Sequence, residues 1–199
     1  RGTDGLTAVV TAGGRTIECD FLGVGVGLER NTSWLEASGL AVSARGVRTN
    51  EFLETAVPGV FAAGDVAEFY DSRAGAYRNR GNWTNSFLQG RTAGRNMALG
   101  SARESFQNVS LSSIRNLGFS LAFVGDTVPE PDVEILERLD DTRPSYERFF
   151  VRDGRLVGAV LVNRSDDQRA AVQLIQDGRE LADTSHFSDS AFDLSRLLS

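Results

Sequence analysis

Residues 55–67 read Thr-Ala-Val-Pro-Gly-Val-Phe-Ala-Ala-Gly-Asp-Val-Ala, and this stretch constrains the chain more than any other. Pro58-Gly59 is a turn signal, because proline presets φ at the first central position and glycine accepts a positive φ at the second. Val60-Phe61-Ala62-Ala63 is a short apolar run, the pattern of a strand buried on both faces of a parallel sheet. Gly64 then removes a side chain where the strand is expected to end, and Asp65 places a carboxylate just beyond it. Ligands of open α/β sheets bind outside the carboxyl ends of the strands. A carboxylate reached past two alanines and a glycine suits hydrogen bonds from ligand hydroxyls and repels phosphate. An ordinary strand-to-loop corner with a surface aspartate fits the same residues, and spacing alone does not separate the two.

A chain of 199 residues that is 41% hydrophobic has enough apolar material for a sizeable core. The net charge of -6 argues against a nucleic-acid partner, and all 21 basic residues are arginine. No apolar run reaches the length of a membrane span, so no membrane partner is expected. The single cysteine, Cys19, excludes a disulfide within the chain and fits a reducing cytoplasm, where the protein is expected to reside. No metal site is expected. The sequence opens on Arg1 in a strand-forming region, and a G-x-G-x-x-G fingerprint is absent. Gly23-Val24-Gly25-Val26-Gly27 comes near it without the third glycine. The expectation is a C-terminal half of a chain about twice as long.

In chain order, residues 6–12 and 15–19 are β-rich around Gly13-Gly14 and predict a hairpin. Phe21 to Gly27 predicts a buried strand. Asn31-Thr32 can cap a short helix from Ser33 to Ser38, closed by Gly39. Residues 40–50 predict two strands turned at Arg45-Gly46. Residues 68–82 predict a solvated polar loop, with a lid as the sharper alternative. Asn82 or Thr84 can cap a helix running to about Leu99, whose Gly90, Ala93 and Gly94 make a small face for close packing on the strand before Asp65. The N-terminus of such a helix stabilises negative charge on a ligand through its free N–H groups and dipole.

Residues 105–185 change to an α+β pattern. Phe119–Val124, Phe149–Arg152 and Arg155–Val162 predict strands, the last two joined by an Asp153-Gly154 hairpin turn. Val133–Leu139 fits a strand or a helical turn. Ser165 to Gln168 is a capping-box signature before a helix with Ala171, Val172, Leu174 and Ile175 on its apolar side. His186, the only histidine, sits in a polar setting and reads as a solvated surface residue. Cys19 reads as structural. Asp189 to Ser199 fits a docking helix or a frayed end.

T-A-V-P-G-V-F-A-A-G-D-V-A resembles the second FAD-binding motif of the pyridine nucleotide-disulfide oxidoreductase superfamily. The resemblance implies that Asp65, flanked by Gly64 and Val66, holds the ribityl chain of FAD. The run Gly25 to Leu40, G-x-G-x-x-x-N-T-x-x-L-x-x-x-G-L, resembles the end of that superfamily's NAD(P)-binding domain. It implies that Gly25, Val26 and Gly27 pass close to the nicotinamide nucleotide; the residues alone equally allow glycines that merely permit close strand packing. W-x-N-x-x-x-Q-G-x-x-A-x-x-N-M resembles ferredoxin and rubredoxin reductases and implies that Trp83, with Thr84, borders the flavin. A core tryptophan at a helix start is the alternative. G-x-L-V-G-A-V-L-V-N-R-x-x-D followed by L-I-x-x-G resembles the C-terminal domain of the same reductases. Residues 112–117 look nearer to NADH oxidases and nitrite reductase flavin domains.

The fold class implied is α/β, the C-terminal portions of two Rossmann-like domains (1–39 and 40–104), followed by an α+β domain with an antiparallel sheet (105–185) and a tail (186–199). The function implied is an FAD-dependent NAD(P)H oxidoreductase passing hydride from nicotinamide to flavin, then electrons to a protein or small-molecule acceptor such as a ferredoxin or rubredoxin. No side chain is expected to act as acid or base. The alternatives are a non-catalytic association module, dimerising through residues 105–185, or a parent that is an NADH oxidase or nitrite reductase flavin subunit.

Overall fold

The computed structural model describes residues 5–100, 102–140, 142 and 144–198, which divide into two units between Asn31 and Thr32. In the first unit, β1 (Ala8–Val10) and β2 (Thr16–Glu18) pair antiparallel with Val9 opposite Ile17. The turn closes through Gly14 N–H to Thr11 O at 2.9 Å, as the two glycines predict. Cys19 follows β2 as a free, half-buried thiol.

Phe21–Gly27 is not a buried strand. No regular element covers it, and Phe21 and Val26 are 85% and 90% exposed. A β-strand exists only where neighbours take its backbone groups, and no described residue pairs with this run.

The second unit opens with a 3-10 turn at Ser33–Ser38 that ends on left-handed Gly39, within the boundaries predicted for a helix. A four-stranded sheet follows in the order β3-β4-β5-β6: β3 (Val42–Ser43), β4 (Gly46–Thr49), β5 (Ala67–Asp71) and β6 (Ala76–Arg78). β4 and β5 run parallel, and β3 and β6 flank them antiparallel. Residues 68–71 and 76–78 therefore belong to this sheet rather than to a solvated loop, with 72–75 turning between its strands. Glu68, Phe69 and Asp71 are buried in it.

Helix α1 (Trp83–Leu99) starts at Asn82, whose side chain accepts the Asn85 N–H at 2.8 Å. Its inward face is not the predicted small-residue stripe. Gly90 and Gly94 are exposed, with open space where a Cβ would stand. Asn85, Gln89, Ala93 and Asn96 are buried instead. The amides win that face because they satisfy backbone groups that would otherwise be stranded. Asn96 donates to Phe52 O and Glu104 O, both at 2.9 Å, and accepts the Glu104 N–H at 2.8 Å. Leu53, Phe69, Ala93 and Phe106 form the small apolar core beside it.

The C-terminal part is a five-stranded antiparallel sheet in the order β7-β8-β11-β10-β9, made of β7 (Leu111–Asn116), β8 (Phe119–Gly125), β9 (Glu134–Asp140), β10 (Ser145–Arg152) and β11 (Arg155–Val162). Val133–Leu139 thus resolves as a strand, and Asp153-Gly154 is the hairpin turn between β10 and β11. Helix α2 (Asp167–Asp177) ends on left-handed Gly178 and packs Ala170, Ala171 and Leu174 against Val124, Phe149 and Leu161. Its cap residue is Asp166, without a side-chain capping bond, and the Ser165 hydroxyl faces Ser120 Oγ at 3.4 Å instead of closing the predicted box on Gln168.

The tail docks rather than frays. Leu194 is fully buried in the same core, and Arg138 donates to the carbonyls of Asp189 and Phe192 at 2.9 Å each. His186 lies at the surface, its side chain 39% exposed, with its ring stacked on Phe192 at 4.3 Å and Nε2 3.7 Å from the Asp183 carboxylate.

Candidate functional site

The turn at Pro58-Gly59 forms as expected, with Val60 N–H to Val57 O at 3.1 Å. Glu54 holds it from outside: one carboxylate oxygen accepts the Gly59 N–H at 2.8 Å, and the other pairs with Arg103. The Gly59 bond holds the Glu54 carboxyl below its usual range, Arg103 adds to this, and partial burial opposes it. Arg103 in turn lies over the Phe61 ring.

Val60–Ala63 is extended but is not a strand of the sheet. It makes one isolated bridge, Phe61 opposite Glu54, and the strand comes later, as β5. Gly64–Val66 forms a single 3-10 turn, so Asp65 precedes β5 instead of following a strand. The apolar run could not disclose this, because the sheet partner β4 pairs with Ala67–Phe69, after the aspartate.

Gly64 is buried at φ 80, and a Cβ there would stand 3.3 Å from Cβ and Oγ of Ser86. The positive φ is what favours glycine here, and the tight approach of Ser86 adds to it. Gly46, at φ 129, is the second such position: a Cβ would lie 2.1 Å from the Val66 carbonyl, so β4 begins directly against the turn that carries Val66.

Asp65 is exposed. Its Oδ1 accepts the Ser86 hydroxyl at 2.6 Å, and its backbone carbonyl accepts Asn79 Nδ2 at 2.9 Å. The same Asn79 amide donates to Ala67 O at 2.8 Å and Arg45 O at 3.0 Å, joining the β3–β4 turn, the 3-10 turn and β5. Gly81 lies beside the carboxylate, with its Cβ position 3.7 Å from Oδ2. Gly64, Asp65 and Val66 are thus brought to the first turns of α1.

Trp83 and Thr84 open that helix and both are exposed. Trp83 is 81% exposed, which removes the core-tryptophan alternative, and its ring stacks on exposed Phe87 at 5.9 Å and 11°. Gly25, Val26 and Gly27 belong to the first unit, where all three are exposed and Gly27 has φ 91.

Sequence reasoning missed Ser86, Gln89, Asn79 and Glu54. Spacing offered one signal: Asn85, Gln89 and Asn96, with Ala93 between them, share one helix face, and buried amides at such spacing need partners.

The corner fits a flavin ribityl group. It has an accessible carboxylate, no side chain before it, and a helix N-terminus beside it. Two buried polar atoms on the adjoining α1 face, Oδ1 of Asn85 and Nε2 of Gln89, have no hydrogen-bond partner among the described residues.

Residues 1–90 match the profile of the Pyridine nucleotide-disulphide oxidoreductase family, and residues 112–179 match the Rubredoxin NAD+ reductase C-terminal domain. An α/β unit followed by an antiparallel reductase domain is the class these define. Over residues 1–90 the chain is similar to the FAD-dependent pyridine nucleotide-disulphide oxidoreductases, whose members use FAD and NAD(P)H.

Among curated relatives it is 26% identical over 188 residues to Nitrite reductase [NAD(P)H] of Bacillus subtilis, covering 94% of this chain and 22% of that protein. It is 28% identical over 189 residues to human Apoptosis-inducing factor 3, covering 91% of this chain and 30% of the relative. A solved ferredoxin reductase from Rhodopseudomonas palustris superposes with a TM-score of 0.83 at 25% identity, covering 100% of this chain and 48% of that one. The chain therefore spans under a third of those curated relatives and about half of the solved reductase. Among the described residues, no helix is long and apolar enough to cross a membrane.

Proposed function

We propose that the chain is the C-terminal part of an FAD-dependent NAD(P)H oxidoreductase. Residues 1–39 would close its nicotinamide-nucleotide domain, 40–104 its FAD domain, and 105–185 would form the interface domain. The observation that supports this reading most is the Gly64–Asp65 corner, an accessible carboxylate held at the first turns of a 17-residue helix. Bound FAD would supply hydride acceptance from NAD(P)H and onward release of electrons to an acceptor.

The chain's own residues bind and orient. Asp65 accepts hydrogen bonds from ribityl hydroxyls, and Gly64 lets the first turns of α1 pack against the corner that carries it. The opening amides of α1, at Trp83 and Thr84, face the negative charge that reduction brings, aided by the helix dipole. Trp83 shields one side of the site. Gly25, Val26 and Gly27 leave room for the nicotinamide. No side chain needs to move a proton. The acceptor is an electron-carrier protein of the ferredoxin or rubredoxin class, a choice supported by the ferredoxin reductase likeness and the rubredoxin reductase domain.

The test is anaerobic addition of NADH or NADPH to the FAD-reconstituted full-length protein. Bleaching of the flavin absorption is expected; a protein that retains no flavin after refolding with FAD contradicts the proposal.

A further inference from the structure

We propose that Ser86 is a positioning residue for the cofactor: its hydroxyl sets the orientation in which the Asp65 carboxylate meets a ligand hydroxyl. The inference rests on the flavin reading above.

Three observations converge on it. Ser86 Oγ donates to Asp65 Oδ1 at 2.6 Å, a short bond of the kind a hydroxyl makes to an ionised carboxylate. The approach is enforced from the other side, since Gly64 lets Ser86 Cβ and Oγ come within 3.3 Å of where a side chain would stand. The donor is also fixed. Ser86 N–H bonds to Asn82 O at 3.0 Å, while Asn82 caps the helix through the Asn85 N–H, so the hydroxyl projects from an ordered first turn.

An exposed aspartate rotates freely about its side-chain bonds, and a ligand that needs one orientation bears the cost of selecting it. The Ser86 bond removes that freedom before binding. A carboxylate has about four acceptor positions. Ser86 occupies one, and a ribityl hydroxyl meets another. Gly64, Asp65 and Ser86 thus act as one device: the glycine admits the helix, the helix presents the hydroxyl, and the hydroxyl aims the acid. The hydroxyl is not a catalytic group, because it acts only through Asp65.

The test measures FAD dissociation constants for the full-length protein and for Ser86→Ala, Asp65→Ala and the double variant, by flavin fluorescence, with visible circular dichroism of the bound flavin and the melting temperature of the flavin-free forms. Ser86→Ala is expected to raise the dissociation constant about 3–10-fold, the equivalent of one net hydrogen bond. The flavin dichroism changes with it, while the flavin-free melting temperature stays the same. In the Asp65→Ala background, Ser86→Ala adds nothing. If Ser86→Ala does not fold, Ser86→Cys keeps the shape and weakens the donor, and the same direction is expected.

An unchanged or lower dissociation constant in Ser86→Ala, with Asp65→Ala still weakened, overturns the positioning role and leaves the flavin reading standing. An equal loss on both backgrounds overturns it too, because Ser86 then acts without Asp65. Undiminished FAD binding by Asp65→Ala overturns the flavin reading, and this inference with it.

Discussion

The side-chain carbonyl of Gln89 accepts the backbone N–H of Gly64 at 2.7 Å, with both residues buried. A helix side chain therefore closes the backbone of the turn that precedes Asp65. Replacing Gln89 by Leu leaves the Gly64 N–H unsatisfied in a dry environment. We expect a loss of about 1–3 kcal/mol in stability, read by urea unfolding. A loss below about 0.5 kcal/mol would show that the Gly64 amide finds another partner.

Arg138 and Glu147 are paired on adjacent strands, 1% and 2% exposed, and Asp167 and Arg164 complete the cluster. Burial pushes the Glu147 carboxyl up, and the bond to Arg138 opposes that rise. Arg138→Met leaves two buried acids, Glu147 and Asp167, to share Arg164 alone and releases the carbonyls of Asp189 and Phe192. We expect about 3–5 kcal/mol of destabilisation, with faster proteolysis of residues 189–198. Adding Glu147→Leu should recover part of the loss. An additive double variant would mean that the two side chains are not coupled.

Glu54 gives a pH signature. Its carboxyl is held below the ordinary 4.5, first by the Gly59 N–H and then by Arg103. A depressed acid contributes stability that is present above its unfolded value and lost as pH falls through its folded value. The melting-temperature advantage of the natural protein over Glu54→Gln should hold near neutrality and shrink on acidification through and below 4.5. An advantage that grows on acidification contradicts this sign.

Local signals carried much of the fold. Gly13-Gly14, Arg45-Gly46 and Asp153-Gly154 marked real hairpins, and Asn82 marked the start of α1, because turn and cap chemistry act within four residues. Pairing partners were less legible. The apolar runs at 21–27 and 60–63 both read as strands, and neither is one, since strand formation depends on distant neighbours. The inward face of α1 was misread for a related reason: the amides of Gln89 and Asn96 find their partners 25 and 44 residues away. At the candidate site, the motif pointed to Gly64 and Asp65, which the fold sets against the first turns of α1. Ser86 was hidden because a serine in a helix shows nothing until the fold brings its acceptor beside it.

If the Asp65 carboxylate holds the ribityl chain of FAD, Asp65→Ala loses flavin. The full-length protein and the variant would be purified alike, reconstituted with FAD, gel-filtered and scanned for flavin absorbance per chain. Loss of one charged hydrogen-bond acceptor, about 1.5–3 kcal/mol, predicts at least about tenfold weaker retention. Equal flavin per chain in the two proteins would contradict the claim.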